Sequence, residues 1–254
     1  MPIPKAILVL AVPTVISQII TIIYNMADTF FIGQLGEPRQ VAAATLNMPL
    51  FMFMTALSNL FGVGGSSLIS RFLGANEHKK ASHCCAFCIW TTTVSAFLYG
   101  IFMLLFRPVL MPVLGANEET LPLASSYLFW TIGIGAVPTV LNPALAHLIR
   151  AEGYSKQASF GVAFGGVLNI LLDPLFIYGL RLQITGAAIA TLISNTIALL
   201  YFLHFIWKIR ATSVLTLSPR MYRITDHIPS EVLSIGLPSF LISMMGTVSN
   251  TVLN

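Results

Sequence analysis

LAVPTVISQIITIIYNMAD runs from Leu10 to Asp28. It carries no charge before its last residue, and the uncharged run reaches back to Lys5. About 20 apolar residues span a bilayer as a helix, whereas an outer-membrane strand needs only ~10, alternating in polarity. The stretch therefore reads as a spanning helix. Met1–Lys5 lacks the cationic start and small-residue cleavage site of a removable signal, so this helix is expected to stay in the protein. Apolar sequence resumes at once with Phe30, Phe31 and Ile32, which leaves Asp28 inside the span.

Working outward, the same pattern recurs. The chain is 56% hydrophobic and 9% charged, against about 25% charged in soluble domains. Apolar segments fall near residues 7–35, 41–73, 82–106, 121–149, 158–180 and 184–207, and a seventh begins near Val232. The fold class is all-α and integral to the membrane: a six-helix transmembrane bundle plus the start of a seventh helix. Ten basic residues (Lys5, Arg71, Lys79, Lys80, Arg150, Lys156, Lys208, Arg210, Arg220, Arg223) fall on one side, and Arg39, Arg107 and Arg181 on the other. The positive-inside rule puts the N-terminus and the connection after Lys208 in the cytoplasm of a cell-membrane protein. This asymmetry accounts for the basic balance without a nucleic-acid partner.

The opening stretch has an echo in IGLPSFLISMMGTVSNTVL, Ile235 to Leu253. At an offset of 225 residues, Pro13 falls on Pro238, Asn25 on Asn250 and Thr14 on Ser239. A repeat unit of six helices is even, so two units share one orientation. The expected organisation is a six-helix lobe over 1–210, a cytoplasmic connection over 211–231 and the truncated first helix of a second lobe over 232–254. A whole protein of about 450 residues follows from doubling the offset.

A carboxylate at membrane depth costs about 2.5 to 3.5 kcal/mol and calls for a partner, a water-filled cavity or a cation. Of the nine acidic residues, only Asp28 and Asp173 stand deep in apolar stretches. Asn169 and Asp173 are four apart and share a helix face. Helix rise places Asp173 and Thr191 roughly 13 Å, and Asp28 about 12 Å, below one membrane surface. Tyr24 precedes Asp28 by one turn. Carboxylate, amide and hydroxyl oxygens suit a hard cation such as Na⁺, or one acid can carry a proton. A polar cluster that only joins helices is the alternative, and it explains Asn169 and Thr191 better than two acids. Pro13, Pro49, Pro138, Pro143 and Pro174 lie in helices and each tends to kink its own. Asn142, beside Pro143, either lines a cavity or caps a kink. Cys84, Cys85 and Cys88, near His78 and His83, match no zinc spacing and read as packing. Phosphate-cradling, nucleophile-elbow and HExxH patterns are missing, so no catalytic residue is assigned.

YNMADTFFIGQLG (24–36), RAEGYSKQASFG (150–161) and NILLDPLFIYG (169–179) resemble the multidrug and toxic compound extrusion (MATE) family. The resemblance covers the whole chain as the N-terminal lobe and the start of the seventh of twelve helices. It implies a secondary transporter, not an enzyme, exchanging Na⁺ or H⁺ for small organic cations. No cofactor beyond the coupling ion is implied, and the C-terminal lobe is the implied partner. By motif position it implies cation coupling at Asp28, Asn169, Asp173, Thr191 and Tyr24, with Pro13 as a hinge. Two other functions compete. A lipid-linked oligosaccharide flippase would be expected to line its cavity with basic residues, and none lies mid-helix here. An intramembrane enzyme could use the two acids as a dyad.

Overall fold

The computed structural model describes residues 3–224 and 227–253, with side chains over 11–224 and 227–245. The backbone folds into α1 (Ile3–Gly33), α2 (Pro38–Leu46), α3 (Met48–Gly74), α4 (His78–Val113), α5 (Leu121–Leu128), α6 (Ala136–Ala151), α7 (Ser155–Pro174), α8 (Gln183–Ile209) and α9 (Ile228–Leu253). π-Helical turns at Phe129–Ile134 and Leu175–Gly179 follow α5 and α7. Among the described residues, six helices are long and apolar enough to cross a membrane, and a bent seventh is made by α5, its π turn and α6. This matches the expected six helices and the start of another.

Boundaries differ where proline and glycine act. The segment read as one helix over 41–73 begins at Pro38 and breaks at Asn47. Pro49 cannot donate into the preceding turn and sits instead in the first turn of α3, where backbone N–H groups have no intrahelical acceptor and a missing one costs nothing. The Asn47 amide covers the break by donating to the carbonyls of Ala43 at 2.9 Å and Ala124 at 3.2 Å. The segment read as one helix over 121–149 bends by 51°. The bend lies at Gly135, before Pro138, which again occupies a first turn. α4 runs on to Val113, past Arg107, and carries Pro108 and Pro112 inside it. α9 starts at Ile228, four residues earlier than Val232.

α6 is the hub of the bundle. It packs against α3, α4, α7 and α8, and ten of its sixteen residues are buried. α1 lies along α7, and α9 lies along α3. The α3–α9 crossing needs small residues: a Cβ at Gly64 would run into the Val232 carbonyl, and one at Gly236 into the Leu60 carbonyl. Close approach through small residues drives helix association where lipid is as apolar as the side chains. Asn59 donates to Ser243 across the same crossing at 3.0 Å. Large apolar side chains point outward, Ile19, Ile23 and Phe30 on α1 among them, as befits a lipid-facing surface.

Cys84, Cys85 and Cys88 are buried in the core beside the basic end of the bundle, where a Cβ at Gly65 would meet Cys88. The 211–224 connection docks onto that end. Glu152, in the α6–α7 turn, accepts the Ser213 hydroxyl and the Val214 amide, and His83 Nδ1 lies 2.9 Å from the Met221 carbonyl. Val214 and Leu215 are buried beneath it.

Candidate functional site

The site forms on the α1–α7 seam, and Gly166 sets its width. A Cβ there would lie 3.0 Å from Tyr24 Cδ1 and 3.2 Å from Ile20 Cγ2. With glycine at this point, α1 approaches closely enough for Asp28, one turn beyond Tyr24, to face α7. Asp173 is fully buried, at 0% exposure, and Asn169 nearly so at 2%. Their spacing of four puts both on one face of α7.

The Asn169 amide donates to Asp173 Oδ1 at 3.2 Å and to Thr191 Oγ1 on α8 at 3.4 Å. The carboxylates of Asp28 and Asp173 lie within electrostatic reach of each other. Tyr127 of α5 is buried within reach of both acids and of Tyr24. Sequence reasoning missed Tyr127, because nothing local to α5 signals that it lies near α1 and α7.

Three acceptor oxygens in this cluster are buried without a donor: Asp28 Oδ1, Asp173 Oδ2 and Asn169 Oδ1. Buried polar atoms are normally hydrogen-bonded, so a group of unpartnered acceptors is unusual. Ion pairs among the described residues join Arg39 to Glu37 and Lys80 to Glu77, and neither Asp28 nor Asp173 has a cationic side chain in such a pair. Oxygen donors of this kind fit a hard cation, or a proton shared between acids.

The other expected residues are placed as follows. Pro13 lies inside α1, which continues through it without a break. Asn142 is 7% exposed and sits between α6 and α8, donating to the Asn195 carbonyl at 2.8 Å. The Asn195 amide in turn donates to Thr139 at 3.1 Å. Asn195 is one turn from Thr191 on α8, so this polar seam continues the acid cluster toward α6. Nothing in the local sequence had singled out Asn195 or Thr139.

The MatE family model matches residues 13–175, from the proline of α1 to just past Asp173. The chain belongs to the MatE family. This MatE chain is 33% identical over 250 residues to the multidrug export protein MepA of Staphylococcus saprophyticus, a match covering 98% of the chain and 55% of that relative. It is 32% identical to MepA of Staphylococcus aureus strain NCTC 8325, over 100% of the chain and 55% of the relative. Among solved structures, a crystal structure of MATE in complex with MaD3S superposes with a TM-score of 0.91 at 31% identity, covering 98% of this chain and 56% of the other. An outward-facing multidrug resistance MATE family transporter superposes at 0.88 with 30% identity, covering 97% and 54%. The MatE chain thus spans about half the length of the relatives it matches, and its fold is that of one lobe of a two-lobe membrane transporter.

Proposed function

We propose that this chain is the N-terminal lobe of a cation-coupled antiporter that exports amphiphilic, often cationic small molecules from the cell. In this reading 1–210 is the lobe, 211–231 the connection and 232–254 the beginning of the second lobe, which the working protein also needs. The protein resides in the cell membrane with its N-terminus in the cytoplasm, as the basic residues direct. Asp28, Asn169, Asp173 and Thr191 bind the coupling ion, Na⁺ or H⁺, with Tyr24 and Asn142 alongside. Pro13 lets α1 bend.

The observation that carries this is the set of unpartnered buried oxygens on Asp28, Asp173 and Asn169. Two carboxylates that approach in an apolar seam repel each other, and a bound cation or proton offsets that repulsion. Loading the site from outside neutralises the acids. Their attraction for a cationic drug falls, and the drug leaves outward. A ligand shifts a conformational balance only by its differential affinity for the two states, so the inward-open state holds the ion more weakly and the drug more tightly.

Equilibrium binding of a fluorescent cationic drug to the purified whole transporter tests this. Na⁺ is titrated at fixed ionic strength, and then pH is varied. Drug affinity should fall as the coupling ion rises, and fall less in Asp28→Asn. Affinity indifferent to both titrations rules out exchange at this cluster.

A further inference from the structure

Tyr178 stands on the π turn Leu175–Gly179, five residues past Asp173. Its hydroxyl donates to the Phe31 carbonyl of α1 at 2.6 Å, and its ring meets the Phe31 ring edge-on at 6.4 Å between centroids. The ending of α1 selects that acceptor. The last four carbonyls of a helix lack intrahelical donors. Beyond Gly33, the amides of Gln34, Leu35 and Gly36 bond to the carbonyls of Phe30, Ile32 and Gly33, passing over Phe31. Tyr178 supplies the missing donor from another helix.

The π turn makes the reach. Pro174 has no N–H, so the ladder past Asp173 loses a bond and widens. The Leu180 amide closes on the Leu175 carbonyl, five residues back, at 2.9 Å. In a regular helix the face of Asn169 and Asp173 would continue at Ile177. Here Ile177 is 1% exposed, with its backbone close against Gly186 of α8, and the hydroxyl of the next residue, Tyr178, reaches α1. Asp28 is one turn before Phe31. The seam is therefore held on both sides of the acid, by Tyr24 against Gly166 on one and by Tyr178 against Phe31 on the other.

We propose that Tyr178 is a positioning residue for the acid site: its bond to Phe31 holds Asp28 against Asp173, and α1 cannot move off α7 without breaking it. This rests on Asp28 and Asp173 being the coupling site. Tyr178 sets how well the two acids share one ion without touching the ion itself.

The test compares wild type, Tyr178→Phe and Asp28→Asn of the whole transporter. Tyr178→Phe keeps the ring contact and removes only the donor. In proteoliposomes, drug flux is measured against Na⁺ and, separately, against a pH gradient. In detergent, the rise in melting temperature is followed as Na⁺ or protons are added, which reads ion binding without transport. In Tyr178→Phe the half-saturating ion concentration should rise about tenfold in both assays, the scale of one hydrogen bond, with flux at saturating ion retained. Unchanged half-saturation overturns the inference, whether flux and abundance stay at wild-type levels or fall together. If wild type shows no ion dependence, or Asp28→Asn keeps it, the coupling-site reading fails and takes this inference with it. Ion dependence lost in Asp28→Asn but unaltered in Tyr178→Phe removes the role of Tyr178 alone.

Discussion

The Asn169 amide donates to Thr191 across the α7–α8 seam at 3.4 Å, which leaves the Asn169 carbonyl oxygen buried and free of donors. One side chain thus joins two helices and presents an acceptor to the acid cluster. Asn169→Ala should weaken coupling-ion binding about ten- to a hundredfold while leaving both carboxylates in place, since a lost hydrogen bond to a charged group is worth ~1.5 to 3 kcal/mol. Asn169→Asp, which adds a third acid, should raise rather than lower the dependence of flux on pH. Ion titrations of drug flux check both, and a wild-type profile in Asn169→Ala would place the amide outside the site.

Gly166 should tolerate no larger side chain. Its Cβ would come within 3.0 Å of the Tyr24 ring, so a branched residue has to push α1 away from α7. Overpacking of this kind costs about 1 to 3 kcal/mol. Gly166→Val should lower the melting temperature and abolish its increase with added coupling ion, whereas Gly165→Val, against Ala198 on α8, should lower the melting temperature and retain the ion response. Thermal unfolding of both variants with and without ion distinguishes the seams.

Glu152 ties the connection to the bundle through the Ser213 hydroxyl and the Val214 amide. Glu152→Ala leaves both donors without their acceptor, at a cost of roughly 1 to 3 kcal/mol. Protease cleavage within 211–224 should speed up markedly in Glu152→Ala and less in Glu152→Gln, which keeps one acceptor oxygen. Mapping the first cleavage site by mass spectrometry reads this directly. Equal cleavage rates in wild type and Glu152→Ala would mean that burial of Val214 and Leu215 holds the connection by itself.

Glu37 lies in the turn between α1 and α2, outside the apolar spans. Hydrogen bonds from Gln40 and then Arg39 hold its carboxyl below its ordinary value. Gln40 also accepts the Ile184 amide at 3.0 Å, so Glu37 orients the residue that caps α8. A carboxylate depressed on folding stabilises the fold above its unfolded value of about 4.3, and that contribution is lost as pH falls through the lower folded value. Glu37→Gln should therefore melt below wild type at pH 6, and the gap should narrow as pH falls below the unfolded value of about 4.3. A gap that persists at low pH would show that the carboxylate charge is not its source.

The all-helical membrane fold and the number of apolar helices long enough to span a bilayer were legible in the chain, because both follow from local quantities: apolar run length and helix rise. The Asn169–Asp173 pair was legible for the same reason, as residues four apart on one helix must share a face. Partners across helices were not. Tyr127 enters the cluster through the packing of α5 near α1 and α7, Asn195 through the α6–α8 contact, and Tyr178 through a π turn that follows Pro174, which lacks a donor. Glycine shows the same division. Its position in the chain says that close approach is allowed, but packing alone decided that Gly166 would receive Tyr24 and Gly236 the carbonyl of Leu60. In lipid the hydrophobic term hardly distinguishes one apolar neighbour from another. Which faces meet is decided by shape and by the few polar groups that need a partner, and both exist only once the helices are assembled.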